Sequence, residues 1–211
     1  MLEPVPHRHV VLTMPRLLRG IFRKRRELLL DLAQCAAEAV AEYMKRQVGA
    51  EARPGIVVSI ATAGDLLQWH PHGHLLVTDG AFSDDGAFRP LETWDADAVL
   101  KLFRERLLAR LIERHAISED LARRLLAWRH PGFSAHVGKA IPFEDKKAIE
   151  DVAQDPVRPV VVVPVLEARV VAFLVAALES LPELVVVVAL IHLHPGVAVV
   201  RVLVGVRSTT P

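Results

Sequence analysis

A histidine-rich run near the middle of the sequence carries the side chains best suited to chemistry. His72 and His74 are separated only by Gly73, and residues two apart on a β-strand face the same side, about 7 Å apart along the chain. Both imidazoles can therefore converge on one cation, and neutral imidazole is a common metal ligand. His70 has the same parity, although Pro71 can turn it aside. The alternative interpretation is a pair of hydrogen-bonded polar side chains on a half-exposed strand.

A cluster of basic side chains follows the first apolar run of the chain. The basic cluster consists of Arg16, Arg19, Arg23, Lys24, Arg25 and Arg26. Cationic groups at this density can contact DNA phosphates. A solvated helix face explains the same pattern without a ligand, so the sequence leaves both interpretations open.

Three other motifs favour a structural interpretation. A second basic strip, interrupted by acids, consists of Arg104, Arg106, Arg110 and Arg114. Cys35 falls on the apolar stripe of a long helical pattern and is predicted to lie in the core. His192 and His194 flank a leucine, but the Pro195-Gly196 pair that follows predicts a hairpin turn rather than a metal site.

Composition excludes several classes of protein. The 211 residues include 26 Lys and Arg against 25 Asp and Glu, a net charge of +1 that predicts no particular partner. Hydrophobic residues make up 52%, enough for a sizeable core. The single cysteine excludes an intramolecular disulfide framework and a cysteine-based zinc site, and it favours a reducing compartment. No apolar run reaches the roughly 18 residues of a membrane span, so we expect a cytoplasmic protein without a membrane partner.

The elements that must position these residues alternate between short strands and long helices. Strands are predicted at 7–13, 55–63, 70–78 and 132–137, and helices at 22–48, 95–114, 118–128 and 142–154. Asp79-Gly80 and Asp85-Gly86 predict turns. This mixture indicates an α+β fold, with helices layered on a sheet.

The composition changes sharply near Gln154. From Asp155 onward about a third of the residues are valine and lysine is absent. We therefore predict a globular domain over 1–154 and a valine-rich segment of uncertain fold over 155–211. Short strands at 160–165 and 184–191, with a helix at 166–180, are expected within that segment.

Three blocks of sequence occur in the order found in one known family. They are VPHRHVVLTMPRLLR (5–19), ATAGDLLQWHPHGHLLVTDGAF (61–82) and AWRHPGFSAHVGKAIPFEDKKAIEDVAQ (127–154). The chain resembles the rolling-circle insertion-sequence transposases of the HUH endonuclease superfamily, named for a histidine–hydrophobe–histidine motif. The resemblance covers residues 4–154. Gly73 departs from it, since the motif prefers a large apolar residue there, but this position points away from the metal.

The resemblance implies a palm of antiparallel sheet flanked by helices that nicks and rejoins single-stranded DNA at transposon ends. It implies a divalent cation, Mg²⁺ or Mn²⁺, on His72 and His74, where it would polarise the scissile phosphate. Imidazole ligands favour Mn²⁺. A third ligand is also implied, and His70, Asp65 and His9 all stay open as candidates. DNA contacts are expected from the basic cluster, His136 and Arg158.

In this family a tyrosine on the helix after the third block attacks the phosphate and is followed by Arg-Pro. Here Arg158 and Pro159 match, but Asp155 occupies the tyrosine position and Pro156 would tend to end the helix. Tyr43 is the only tyrosine in the sequence, and it falls on the apolar stripe of the long helix, which predicts a place in the core. We hypothesise a truncated or degraded copy, with a frameshift as one origin.

The sequence thus favours a transposase-family protein that binds single-stranded DNA and a divalent metal, but that is defective in forming the phosphotyrosine intermediate. Two alternatives stay open. One is a non-catalytic DNA-binding remnant, and the other is a small metal-binding protein without a DNA role.

Overall fold

The computed structural model describes residues 4–63, 68–128, 132–145, 147–149, 160–162, 186–194 and 197–205. The elements, in chain order, are β1 (His7–Thr13), α1 (Arg16–Lys24), α2 (Leu28–Val48), β2 (Ile56–Ala63), β3 (Trp69–Thr78), β4 (Gly80–Phe82), β5 (Phe88–Pro90), α3 (Ala96–Glu113), α4 (Glu119–Ala127), β6 (Ser134–Ile141), β7 (Val160–Val162), β8 (Val186–His194) and β9 (Val197–Gly205). The predicted α+β class, an antiparallel sheet flanked by helices, is confirmed.

Four antiparallel strands form the part of the sheet that carries the candidate site, in the order β6-β1-β3-β2. The histidine strand β3 lies between β1 and β2, and His74 is directly opposite Val11 on one side and Ser59 on the other. Beyond β2, the sheet continues with β7 antiparallel to β2, β8 parallel to β7, and β9 antiparallel to β8. The division of the chain at residue 154 stays a prediction.

The hydrophobic core lies against one face of this sheet. Alternate apolar residues on β1 and β3, such as Leu12 and Leu75, pack there with α1, α2 and α3. A Cβ placed on Gly73 would lie 3.7 Å from the Cβ of Ala36 on α2. Gly73 therefore faces the helices, and His72, its neighbour on an alternating strand, faces the opposite side.

The predicted helix at 22–48 is wrong at its beginning, because two helices occupy the region. Leu18 and Phe22 form the buried side of α1, four residues apart, whereas the buried stripe of α2 starts at Leu28. Six residues of continuous helix would rotate the chain by about 600°, which puts Phe22 and Leu28 on different faces. The break at Arg25 changes the direction in which the following helix presents its apolar residues, so that the buried stripes of α1 and α2 both face the core.

The predicted helices at 95–114 and 118–128 are confirmed, together with their N-terminal caps. The Asp95 carboxylate accepts the backbone N–H groups of Asp97 and Ala98 at the start of α3. The Ser118 hydroxyl accepts the N–H of Leu121 at the start of α4. Each cap satisfies donors that the first helical turn leaves without a partner.

Ion pairs between α2 and α3 explain the second basic strip. Asp31 on α2 is buried, and its carboxylate lies 3.1 Å from Arg110 and 3.0 Å from Arg114. Arg106 pairs with Glu38 at 3.2 Å. The expectation that this strip is structural is confirmed for these three arginines, because their charges hold two helices together.

The remaining elements agree with expectation where the structure describes them. The fourth strand runs over Ser134–Ile141 rather than 132–137, and only 147–149 of the helix predicted at 142–154 is described as helical. Strands at 160–162 and 186–194 overlap those predicted in the valine-rich segment, and the helix predicted at 166–180 lies outside the described residues. Among the described helices, none is long and apolar enough to cross a membrane.

Candidate metal and nucleic-acid site

Four histidine rings lie in a row on the sheet face opposite the helices. The row runs from His9 on β1 to His74, His72 and His70 on β3, with ring centroids 5.0, 4.7 and 5.0 Å apart in that order. Regular antiparallel pairing of β1 with β3 brings His9 beside His74, since His9 is two residues from Val11, the direct partner of His74. The predicted convergence of His72 and His74 is therefore present in the fold.

The proton on His72 can be assigned from its hydrogen bond. Its Nδ1 lies 2.6 Å from the backbone carbonyl oxygen of His70, and a carbonyl can only accept. Nδ1 must therefore carry the proton, so that the lone pair of the neutral ring is on Nε2. A histidine held in this way by a carbonyl has the orientation and tautomer that metal-binding histidines commonly show.

His9 and His74 form a direct hydrogen bond. Nε2 of His9 lies 2.8 Å from Nδ1 of His74, so one of these nitrogens donates and the other accepts. When His74 donates from Nδ1, its lone pair lies on Nε2, which matches the tautomer of His72. His9 then orients His74 through its proton, as an outer-shell partner does at a metal site.

The spacing of the His72 and His74 rings is compatible with two imidazoles that share one cation. Two imidazoles that bind one cation at about 2.1 Å in neighbouring positions have centroids roughly 4.5 Å apart, close to the 4.7 Å between these rings. Over the described residues, no group of three His, Cys, Asp or Glu side chains is arranged to hold a metal ion. Nε2 of His9 and Nδ1 of His74 bond to each other in this arrangement.

A fifth histidine, His7, is buried on β1, two residues before His9, and the sequence analysis did not single it out. Its side chain is 2% exposed, and burial lowers its pKa, although a hydrogen bond with the backbone of Val5 and the charge of Asp79 oppose this. Asp79 was predicted only as a turn residue. Its carboxylate is also bound by Arg8 at 2.5 Å and by the indole N–H of Trp94 at 2.7 Å.

The structure divides the basic cluster into exposed and engaged groups. Arg16, Arg23 and Lys24 on α1 are exposed. Arg25 is paired with Glu27 at 2.8 Å, and Arg26 lies over the ring of Trp69 at 5.4 Å. Arg16, Arg23 and Lys24 are therefore the members of the cluster best placed to reach a phosphate, whereas Arg26, although exposed, would lose its contact with Trp69.

Trp69 joins the basic helix to the histidine strand. Its indole N–H donates to the backbone oxygen of Arg19 on α1 at 2.8 Å, and it precedes His70 on β3. Arg19 itself is half-buried, and burial together with the charge of Arg16 lowers its pKa. The basic cluster and the histidine row are thus held against each other at one end of β3.

The sheet face that carries the histidine row also has polar groups on β6, the strand at the edge of the sheet. His136 is exposed and pairs with Val11, so it lies on the same face as the histidine row but two strands from His74. Thr13 and Ser134 pair across β1 and β6 on this face. Sequence analysis missed both hydroxyl residues, because only the register of strands distant in the chain places them there.

Tyr43 lies in the core, which confirms the sequence interpretation. It is 2% exposed on α2, and its hydroxyl accepts the backbone N–H of Asp95 at 2.8 Å. Because α2 covers the face away from the histidines, Tyr43 does not face the candidate site. Cys35 is also buried on α2, and burial raises its pKa to about 12, so it is not a nucleophile.

Several predicted residues lie outside the described part of the chain. They are Asp65, Asp155 and Arg158. His192 and His194 lie on β8, where only the backbone is described. Their assigned roles stay predictions.

Comparison with known proteins finds similarity in the part of the chain that contains the histidine strand β3. Residues 55–145, which include β2, β3 and β6, match the family model Y2_Tnp, described as "Putative transposase". Over this region the chain is similar to insertion-sequence transposases. A 90-residue stretch is 37% identical to the transposase for insertion sequence element IS801 from Pseudomonas savastanoi pv. phaseolicola. This stretch is 43% of the present chain but 21% of that protein. No solved structure matches.

Proposed function

We propose that the chain is a transposase-family protein. Its histidine face, which is the sheet face that carries the histidine row, would bind single-stranded DNA together with a divalent cation. The observation that carries the proposal is the pair His72 and His74, 4.7 Å apart between ring centroids on the strand that the transposase family match includes. The whole protein's activity belongs to the same proposal, since the match spans only about a fifth of the IS801 relative.

The chain's own residues would hold and orient the cation. His72 would bind through Nε2 while its Nδ1–H stays on the carbonyl of His70. His74 would bind through Nε2 while His9 accepts its Nδ1 proton, or His9 would rotate to become the third ligand. When bound, Mg²⁺ or Mn²⁺ would neutralise charge on the oxygens of the scissile phosphate.

Single-stranded DNA would lie across the histidine face with its backbone near α1. Arg16, Arg23 and Lys24 are exposed there, and Trp69 holds α1 to β3. Cationic side chains of this kind release counterions from DNA and give an affinity that falls with salt. His136 lies on the same face and is a further contact in the proposal.

We further propose that this chain does not form a phosphotyrosine intermediate. Tyr43 is its only tyrosine, and α2 holds that hydroxyl on the far side of the sheet. Asp155 stands where the resemblance expects the nucleophile, and a carboxylate cannot form the stable phosphodiester link on which rejoining depends. A cytoplasmic location is part of the same proposal.

Binding and nicking assays test this function and distinguish DNA binding from strand cleavage. The chain and its Asp155→Tyr variant are incubated with labelled single-stranded DNA and Mn²⁺. We expect binding by both proteins and cleavage by neither or only by the variant. Cleavage by the unmodified chain would contradict the missing nucleophile, and absence of DNA binding by both would contradict the proposed function and leave the metal-binding alternative.

A further inference from the structure

A pair of hydroxyl groups lies beside the histidine row, and the sequence analysis assigned neither of them a role. Oγ1 of Thr13 on β1 lies 2.6 Å from Oγ of Ser134 on β6, across 121 positions of sequence. Ser134 is exposed and Thr13 is half-buried. The backbone ladder already joins β1 and β6, so the sheet does not need this contact.

The register places the hydroxyl pair next to the metal ligand proposed above. Thr13 is the direct partner of His72 on one side and of Ser134 on the other, so the three residues form one line across β6, β1 and β3. Directly opposite residues share a face, and strands are about 4.8 Å apart. The two hydroxyls therefore begin one strand from His72 and extend away from it toward the edge of the sheet.

The start of α1 closes the same end of the sheet. A Cβ at Gly132, just before β6, would lie 3.3 Å from Cα of Pro15, so the beginning of β6 packs closely on the junction between β1 and α1. Gly132 has φ +76°, a conformation that glycine adopts without strain. Exposed Arg16 follows directly after this junction.

The hydrogen-bond donors of the two hydroxyls determine which ligand the pair can bind. When two hydroxyls bond to each other, one proton is used between them and the second remains available to an acceptor outside the pair. Neutral O–H donors suit an anionic oxygen, and hydroxyl side chains commonly contact DNA phosphates. A phosphate held at His72 would place the adjacent phosphate of a single strand over neighbouring strands of this face.

We propose that Thr13 and Ser134 form a phosphate subsite that holds a backbone phosphate of single-stranded DNA next to the phosphate at the histidine row. This inference rests on the proposed function and adds two positioning residues to it. Neither residue touches the cation; both fix the position of the strand relative to His72.

The test compares DNA affinity across hydroxyl variants. Fluorescence anisotropy with a labelled single-stranded oligonucleotide and Mn²⁺ is measured for the unmodified chain and for Thr13→Val with Ser134→Ala. We expect affinity to fall about tenfold, since hydrogen bonds to charged groups are among the stronger ones. The exchange Thr13→Ser with Ser134→Thr keeps both hydroxyls and should bind like the unmodified chain.

Ser83→Ala supplies a control, because it removes one hydroxyl from the turn between β4 and β5, where it donates to the backbone oxygen of Ala87. Thermal melting confirms that each variant is folded. If the hydroxyl-free variant melts below the assay temperature, each single substitution is measured instead, with about a threefold loss expected.

A second readout identifies the ligand atom. Replacing one phosphate at a time by a neutral methylphosphonate should reveal a linkage whose neutralisation weakens binding by the unmodified chain but not by the hydroxyl-free variant. Equal affinity of the two proteins, or equal losses at every linkage, would overturn the subsite. If the unmodified chain itself fails to bind the oligonucleotide, the proposed function fails as well.

Discussion

At the residue scale, hydrogen bonds decide which nitrogens of the histidine row can act. The His70 carbonyl fixes the proton of His72 on Nδ1, and His9 shares a proton with Nδ1 of His74. The two-residue spacing of His72 and His74 predicts that they share a face, because side chains alternate along any β-strand. The hydrogen bond between His9 and His74 could not be predicted in this way. These residues are 65 positions apart in the sequence, and only the pairing of β1 with β3 brings them together.

Replacing Tyr43 tests whether its role is structural. Tyr43→Phe leaves the backbone N–H of Asp95 and the contact with Thr93 without the hydroxyl, in a largely buried place. We expect a loss of about 1–3 kcal/mol in the free energy of unfolding, measured by urea denaturation. DNA affinity should not change. A variant of unaltered stability with lost DNA binding would show that the hydroxyl serves the site.

His7 should make the stability of the protein depend on pH. Burial lowers its folded-state pKa from the ordinary value of about 6.5, so the unfolded chain binds more protons below that pH. Stability is therefore full above pH 6.5 and falls as the pH decreases toward the folded-state pKa. Urea denaturation across pH 5–8 should give a smaller slope for His7→Gln than for the unmodified chain.

Exposed His115 supplies the control for this measurement. It has φ +51°, which asparagine tolerates, so His115→Asn is the matched variant. This variant should keep the slope of the unmodified chain. A His7→Gln slope equal to that of the unmodified chain would show that another group causes the pH dependence.

At the element scale, the phase of the apolar stripe explains both the main success and the main error of the sequence analysis. The strands and the helices α3 and α4 follow their apolar and capping patterns, and these elements lie where the patterns place them. The helix at 22–48 failed because the six-residue gap between Phe22 and Leu28 does not fit one helix. The break separates a short basic helix, α1, from the core helix α2.

Charge reversal on α1 should weaken DNA binding without affecting the fold. Arg16→Glu with Arg23→Glu changes two exposed residues. The loss of two phosphate contacts should lower the slope of log affinity against log salt by about 1.4 units, since each contact with a single strand contributes about 0.7. Affinity is measured by anisotropy at several salt concentrations.

An equal change of charge elsewhere gives the control. Lys45→Glu with Lys101→Glu alters two exposed lysines on α2 and α3. If this control lowers the salt slope as much as the α1 variant, binding follows overall charge and not the basic helix.

At the scale of the whole molecule, the two faces of the sheet carry different kinds of side chain. One face binds the helices through the apolar core, and the other carries the imidazoles of His9, His72 and His74 with the hydroxyls of Thr13 and Ser134. The fold class and the pair His72 and His74 could be predicted from the sequence, but the hydroxyl pair and His7 needed the three-dimensional register.

The central claim is that His72 and His74 bind a divalent cation, and calorimetry with Mn²⁺ tests it most directly. We expect one site on the unmodified chain, with affinity reduced at least about 100-fold in His72→Ala with His74→Ala, because both ligands are removed. His115→Asn, at an exposed position outside the row, should bind Mn²⁺ like the unmodified chain. Equal Mn²⁺ affinity of the unmodified chain and the double variant would contradict the account.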